Sequence, residues 1–391
     1  MEQDQTTAIA RDIMHDFSRG TGLSPPLAHP KRYLWTDAFA VCNFLELFRR
    51  TGDGSCRDLA LALVFQVHHT LGRHREDDSR KGWISGLSEE EGEIHPTRGG
   101  LRIGKPMNER KAEEPPDEML EWDRDGQYFH YLTRWMHALN RAALATGDPT
   151  YTRWAIELAR AAHAAFTYTP VPGEKRRMYW KMSIDLSSPQ VPSMGMHDPL
   201  DGFVTCQELQ TTAELDFASA GLPSLRGEIT DFAGICRGSV APTDDPLGVG
   251  SLLSDAARIA QLMKKGGIGS PDLLETVLNA ALIGLTSFVK SGTLHLPAAY
   301  RLGFRELGLA IGLSGVEMFR QLFDENPEVF GGKNSLGRRV GELEEYLLLG
   351  DTISEFWLEG TNRVVPTWQE HAEINNVMLA TSLAPREFLT V

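Results

Sequence analysis

The chain has 391 residues, more than one domain usually holds, and a formal net charge of −14. A field of that sign repels phosphate backbones, so nucleic acid is excluded as a partner. Hydrophobic residues make up 41% and charged residues 24%, which is typical of a globular protein with a sizeable core. A closed ring of helices grows without adding a second core, and we therefore expect one domain over residues 1–391.

The sequence also predicts where the protein resides. Residues 1–5 lack a basic region followed by an apolar core, so no secretory signal is expected. The apolar run 273–289 is interrupted by Glu275, Asn279 and Ser287, which argues against a membrane span. The four cysteines are far apart and form no CxxC pair, as is typical of reduced thiols. We expect a cytoplasmic protein without a membrane partner.

Most segments of the chain show the spacing of apolar residues that is typical of helices. Apolar residues recur at helical spacing, and turn residues with Gly or Pro separate the segments. The predicted helices are 6–19, 36–50, 56–72, 126–145, 149–168, 199–217, 225–237, 251–264, 271–290, 300–323, 336–348 and 367–383. One segment, 177–185, alternates with period two and is predicted to be a strand in a minor β-hairpin. This pattern predicts an all-α protein.

The helices are predicted to pair as hairpins. Thr51-Gly52-Asp53 and Thr146-Gly147-Asp148 are matching turns in which glycine ends one helix and aspartate caps the next. Unequal connections argue against a solenoid and favour a ring of six hairpins. Helix 300–323 carries four glycines, each costing about 1 kcal/mol in a helix interior, which predicts close approach of a neighbouring helix.

A long insertion, residues 74–124, separates two of these hairpins. A loop of this length inside a compact domain is either disordered or functional. Its apolar residues, among them Trp83, Leu101 and Ile103, provide anchors for folding. We expect it to form a lid or rim.

If alternate helices form the inside of a ring, their starting ends open at one end. The segments at these starts are rich in acidic and aromatic residues, whereas the opposite turns are short and plain. The residues concerned are Trp35, Asp37, Trp122, Asp123, Asp125, His197, Asp198, Asp201, Asp244, Asp245, His295, Trp368, Glu370 and His371. For single carboxylates, helix capping is an alternative, especially at Asp125, Asp198 and Asp201.

Paired carboxylates beside a cleft are the apparatus of glycoside hydrolysis, in which one protonates the leaving oxygen and the other activates water or attacks the sugar. Asp123 and Asp198 are the leading candidates, supported by Asp125, His197 and Asp201. Aromatic side chains suit the apolar face of a pyranose, and Asp37, His130, Glu370 and His371 supply polar contacts. The aromatic candidates are Trp35, Trp83, Trp122, Tyr128, Trp180 and Trp368, for each of which core packing is an alternative.

No histidine set has zinc-ligand spacing, because His130 and His137 lie seven apart and His68 and His69 are adjacent. The Gly-rich stretch 99–105 lacks the ending of a phosphate-binding loop. Neither a metal nor another cofactor is therefore expected.

The Thr-Gly-Asp turns, the Trp35-Thr36-Asp37 and Trp122-Asp123-Arg124-Asp125-Gly126 junctions, and Trp368 with Glu370 resemble the six-hairpin, or (α/α)6-barrel, glycosidase superfamily. The resemblance implies a toroid of six hairpins over most of the chain. It also implies an enzyme acting on a small carbohydrate or oligosaccharide, and it allows a homo-oligomer.

Three functional hypotheses follow. The first is an intracellular glycoside hydrolase that uses paired carboxylates. The second is an epimerase or isomerase of the N-acylglucosamine 2-epimerase type, with His130, His197, His295 and His371 as proton carriers. The third is a non-catalytic barrel that binds a glycan or a partner.

Overall fold

A computed structural model of the protein describes residues 3–111, 113–115, 117–171, 173–191, 193–267, 269–330 and 334–391. The helices are α1 Gln3–Gly20, α2 Leu34–Thr51, α3 Gly54–Leu71, α4 Glu89–Ile94, α5 Glu118–Glu121, α6 Phe129–Thr146, α7 Pro149–Phe166, α8 Asp198–Leu215, α9 Arg226–Cys236, α10 Pro246–Lys264, α11 Pro271–Lys290, α12 Gly303–Glu325, α13 Asn334–Glu344, α14 Leu347–Leu358, α15 Pro366–Gln369, α16 Ala372–Leu383 and α17 Arg386–Leu389. The strands are β1 Gln127–Tyr128, β2 Thr167–Tyr168, β3 Arg177–Met178, β4 Lys181–Met182 and β5 Pro189–Val191. The all-α prediction is confirmed.

The described chain forms two compact units. The first unit contains residues 18–45 and 53–239, and the second contains residues 3–17, 46–52 and 240–391. Helix α2 contributes to both. The single domain expected over residues 1–391 stays a prediction.

In the first unit, α6 packs against α7 and α8, and α8 packs against α9. Helix α6 is buried almost without interruption from Leu132 to Ala143, and α8 from Asp198 to Leu209. In contrast, α7 buries a single stripe that includes Thr152, Ala155 and Ala159. Burial on all sides is typical of a helix enclosed by others, and a stripe is typical of an outer helix. Each hairpin here thus pairs an enclosed helix with an outer one.

In the second unit, α12 packs against α10, α14 and α16, and α11 packs against α10 and α13. The α10–α12 contact is close because glycines face each other. A Cβ placed on Gly250 would lie 2.1 Å from the carbonyl oxygen of Gly308, and one on Gly312 would lie 2.4 Å from that of Gly250. The close helix approach predicted from the glycines of the 300–323 segment is confirmed.

Gly250→Ala is expected to lower the free energy of unfolding by about 1–3 kcal/mol, because the new methyl group forces two helix backbones apart. The measurement is urea unfolding. Gly341→Ala is the matched control, since a Cβ at this α13 glycine meets nothing within 4 Å. Equal stability of the two variants would contradict the account of the α10–α12 contact.

The matching turns form as the sequence predicted. Gly52 and Gly147 adopt φ values of 71° and 73°, in the left-handed region that favours glycine. Asp53 then accepts a hydrogen bond from the Ser55 backbone at 3.0 Å, and Asp148 accepts one from Thr150 at 2.9 Å. Both turns end one helix and cap the next within three residues.

The insertion 74–124 carries α4 and α5 and is fixed by charged and amide groups. The Gln127 side chain accepts a hydrogen bond from the Leu101 backbone at 2.8 Å and donates to the carbonyls of Gly99 and Ile184. Arg80 bonds to Asp78 and Asp185 and also contacts Glu109. These bonds tie the insertion to the segment after α7.

The period-two segment differs from its prediction. Instead of one strand over 177–185, the chain forms β3, which pairs with β2, and β4, which pairs with β1 and β5. The Tyr179 backbone amide bonds to the carbonyl of Phe166 at 2.9 Å, which continues the register of β3 with β2 by one residue, and β4 starts at Lys181 with different partners. Met178, Met182 and Ile184 are buried, but so are Lys181 and Ser183, so burial does not alternate over 181–184. β4 and β5 form the expected minor hairpin.

Among the described residues, α11 is the one helix long and apolar enough to cross a membrane by length and composition alone. The expectation that no segment spans a membrane stays a prediction. The finding is weak evidence for a span, because a core helix passes the same test. Leu274, Val277 and Leu285 are buried on one face of α11.

Candidate active site

Two polar pairs link α6 and α8 at their starting ends. The Nδ1 atom of His130 lies 3.7 Å from Oδ1 of Asp198, and one turn further Arg134 donates to Oδ1 of Asp201 at 3.1 Å. Asp198, Asp201 and Arg134 are buried. Residues three or four apart share one helix face, so the two pairs lie side by side.

Asp198 does not cap its helix. Helix α8 starts at Asp198 itself with His197 at the cap position, and no side chain makes a cap hydrogen bond there. Oδ2 of Asp198 is buried without a hydrogen-bond partner. A Cβ placed on Gly195 would lie 2.3 Å from this atom, so the backbone before α8 covers the carboxyl group.

Burial raises the pKa of Asp198 well above its usual range, because the charged form loses water without gaining a donor. The negative charge of Asp201 raises it further, and the positive charge of Arg134 partly opposes the shift. The Asp198 carboxyl group therefore retains its proton to a higher pH than an ordinary aspartate does.

His130 lies among aromatic rings. Its imidazole stacks on Tyr128 at 5.5 Å between ring centroids and lies parallel to the indole of Trp180 at 6.4 Å, while Trp35 and Tyr131 meet it edge-on. Burial lowers the pKa of His130 to about 4, and the charges of Asp201 and Arg134 act on it in opposite directions. The imidazole is thus neutral at neutral pH, and its buried Nδ1 has no hydrogen-bond partner.

The aromatic row continues from His130 to the surface. Trp180 meets Trp122 at 5.1 Å, and Trp122 exposes 54% of its surface. The ammonium group of Lys105 donates to the carbonyl of Trp122 and lies 5.5 Å from the ring of Tyr128. Burial and the neighbouring Lys181 lower the pKa of Lys105 to about 8. The row of exposed and half-buried rings suits the flat face of a sugar.

The structure brings together many of the residues predicted for the site. Ring contacts and charge interactions connect seven of them: Trp35, Trp122, Tyr128, His130, Trp180, Asp198 and Asp201. His197 precedes them at the start of α8, half-buried. Asp123 is exposed at the Trp122 end of the row, where its charge acts on Lys105.

Three predicted site residues make close contacts with other protein groups. Asp125 is fully buried and accepts hydrogen bonds from Arg102 and from the backbone of Gly104, both at 2.9 Å. Asp37 pairs with buried Arg32 at 3.2 Å. Trp83 is buried under the guanidinium of Arg73 and against Gly92. These contacts hold the insertion and the start of α2 in place.

Three further predicted residues belong to the second unit. Trp368 is buried and stacks on Trp357, whose indole nitrogen donates to Glu306 at 2.8 Å. Glu370 is exposed, and His371 meets the ring of Phe304 edge-on at 5.6 Å. Trp368 therefore contributes to the core of its unit, which was the alternative weighed for every tryptophan.

Arg134 and Tyr131 are site residues that the sequence analysis missed. The search centred on helix starts, whereas Arg134 lies one turn inside α6. Its spacing of four from His130 was the available signal, since it places both on one face. Further along α6, His137 bonds to Glu208 at 2.8 Å and Asn140 bonds to the same carboxylate at 3.0 Å, so the polar contact between α6 and α8 continues inward.

Among the described residues, no group of three or more His, Cys, Asp or Glu side chains has the arrangement of a metal site. The observed groups suit acid–base chemistry: a carboxyl group with a raised pKa, a neutral imidazole and an ion-paired carboxylate lie near an aromatic wall.

Solved structures share the fold. The GH76A alpha-1,6-mannanase from Salegentibacter sp. is 12% identical, with a TM-score of 0.55 over 97% of this chain and 99% of that one. The cellobiose 2-epimerase from Spirochaeta thermophila is 12% identical, with a TM-score of 0.51 over 97% of each chain. No protein-family model and no curated protein matches the chain. These likenesses confirm the (α/α)6 fold of six helical hairpins.

Proposed function

We propose that the protein is a carbohydrate-active enzyme, and specifically a glycoside hydrolase whose general acid is Asp198. The observation that carries the proposal is the buried Asp198 carboxyl group, which has a raised pKa and lies 3.7 Å from His130, whose ring packs along the aromatic wall. Protonation of a glycosidic oxygen requires an acid that keeps its proton near neutral pH.

Hydrolysis also needs a carboxylate that activates water or attacks the sugar. Asp123 remains our candidate for this role, since it is exposed beside Trp122, and the role requires its carboxyl group to come within about 5–9.5 Å of that of Asp198. Trp122 and Trp180 between them provide rings on which a pyranose can stack. The ligand we propose is therefore a small carbohydrate or oligosaccharide.

The two solved structures support the sugar class, since one is named a mannanase and the other a cellobiose epimerase. Both activities occur on this fold, and a fold does not fix the reaction. A cytoplasmic location is part of the proposal. The four cysteines are buried free thiols, which suits a reducing compartment.

Epimerisation is the second candidate, favoured by His130. A neutral, half-buried imidazole with an unpartnered ring nitrogen is suited to accept a proton from a sugar carbon. Asp198 lies 3.7 Å from the same nitrogen, and its raised pKa suits it to return a proton. The same two residues therefore serve either reaction.

Incubation of the protein with a panel of aryl glycosides, oligosaccharides and free disaccharides in heavy water separates the two. Hydrolysis is expected to release a reducing sugar that carries no deuterium on carbon. Deuterium at C2 of an intact sugar would select the epimerase instead. Absence of both products across the panel, with sugar binding retained in calorimetry, would leave the binding hypothesis in place of either enzyme.

A further inference from the structure

We propose that the buried Arg134–Asp201 ion pair is a positioning element, which sets the pH range over which Asp198 and His130 work as an acid–base pair. The inference rests on the proposed function and assigns Asp201 a different part from the catalytic one expected from the sequence.

The geometry separates two layers. Asp198 and His130 lie at the starting ends of α8 and α6, under the aromatic rings. Asp201 and Arg134 lie one turn deeper on the same two helices, joined at 3.1 Å.

The pair is built into the packing. Arg134 exposes 3% of its surface and its guanidinium lies 5.9 Å from the ring of Trp35. Trp35 in turn contacts His130 edge-on. A buried guanidinium on a stacked ring holds one orientation, so the charge of Asp201 is held at a fixed place.

Asp198 and His130 respond to the same two charges. Asp201 favours a proton on each of them, and Arg134 disfavours it. The other titratable groups around His130 are Tyr128 and Tyr131, and burial raises the pKa of Tyr128. Asp201 and Arg134 carry opposite charges that act on the same two groups. Removing Asp201 alone should therefore lower the pKa of Asp198 and His130, and removing Arg134 alone should raise it.

The test needs no substrate. Infrared spectra of protein labelled with ¹³C in the aspartate carboxyl groups are recorded as a function of pH. The carbonyl band of protonated Asp198 is assigned by its loss in Asp198→Asn. We expect Arg134→Met to raise the pH at which this band disappears, and Asp201→Asn to lower it, each by about 1–3 units. Arg134→Lys, which keeps the charge, is expected to stay near the wild-type value.

Arg102→Met is the matched control. It breaks the Arg102–Asp125 pair of the same unit, and the charge of Asp125 is not among those that act on Asp198. It should leave the band in place. Shifts of the same sign in the Arg134 and Asp201 variants, or no shift, would overturn the inference. If Arg134→Met does not fold, Asp201→Asn decides alone, since a downward shift supports the inference and any other result opposes it.

Failure of the inference and failure of the proposed function give different results. Opposite band shifts in a protein that turns over no sugar would keep the inference and reject the enzyme. Turnover that depends on Asp198, with unmoved bands, would keep the enzyme and reject the positioning role.

Discussion

Asp198→Asn is expected to reduce kcat on a cleaved glycoside by about 10²–10⁴-fold, the usual contribution of a positioned general acid. Asparagine has nearly the same shape but holds no transferable proton. The loss should fall mainly on kcat, because proton transfer occurs in the transition state and substrate stacking on Trp122 and Trp180 is retained. The measurement is steady-state kinetics on the best substrate of the panel.

The pH dependence of activity in the wild-type protein tests the same assignment of Asp198. The acid works only while protonated, so activity should fall as the pH rises through the raised pKa of Asp198. The acid form should persist at a pH at which an ordinary aspartate has already ionised. A profile that loses activity at the pH of an ordinary carboxyl group would contradict the assignment.

Asp198→Asn should affect stability in the opposite direction to activity. The folded-state pKa of Asp198 is raised above that of the unfolded chain, so the folded state binds more protons between the two values and stability falls as pH rises between them. Asp198→Asn removes this cost and is expected to keep or increase stability at neutral pH. Asp58→Asn, at an exposed aspartate of α3 paired with Arg57, is the control for both measurements.

The starting ends of helices could be read from the sequence because turns and caps are local. Gly147 and Asp148 needed only their neighbours to predict a turn, and the enrichment of rings and acids at helix starts led to Trp35, His130 and Asp198. The sequence could not show which carboxyl group is the general acid. The pKa of Asp198 depends on Gly195, which covers it, and on Arg134 from another helix.

The insertion shows where local reasoning ended. Its composition predicted a lid or rim, but the bonds that order it join distant residues. Arg80 bonds to Asp185 across 105 positions, and Gln127 bonds to Ile184 across 57. Such pairs leave no periodic signal, so the sequence predicted a catalytic role for Asp125 and a substrate-binding role for Trp83 without showing the protein partners that each has.

Asp125→Ala is expected to lower the free energy of unfolding by about 3–5 kcal/mol, the usual cost of removing one partner of a buried ion pair. The Asp125 side chain accepts hydrogen bonds from Arg102, Gly104 and Gly126, and Arg75 lies 3.4 Å away. Its removal leaves the Arg102 guanidinium without its carboxylate, whereas Arg75 keeps its ion pair with Asp77 at 2.7 Å.

Asp125→Asn should fall between the wild type and Asp125→Ala, since the amide oxygen can still accept from the two glycine amides but carries no charge for the guanidinium groups. Urea unfolding measures the stabilities, and limited proteolysis reports opening of the insertion 74–124. The contrast with Asp198→Asn is the decisive comparison. If Asp125→Ala unfolds like the wild type but turns over no sugar, Asp125 is catalytic, as the sequence first indicated, and the anchoring role is wrong.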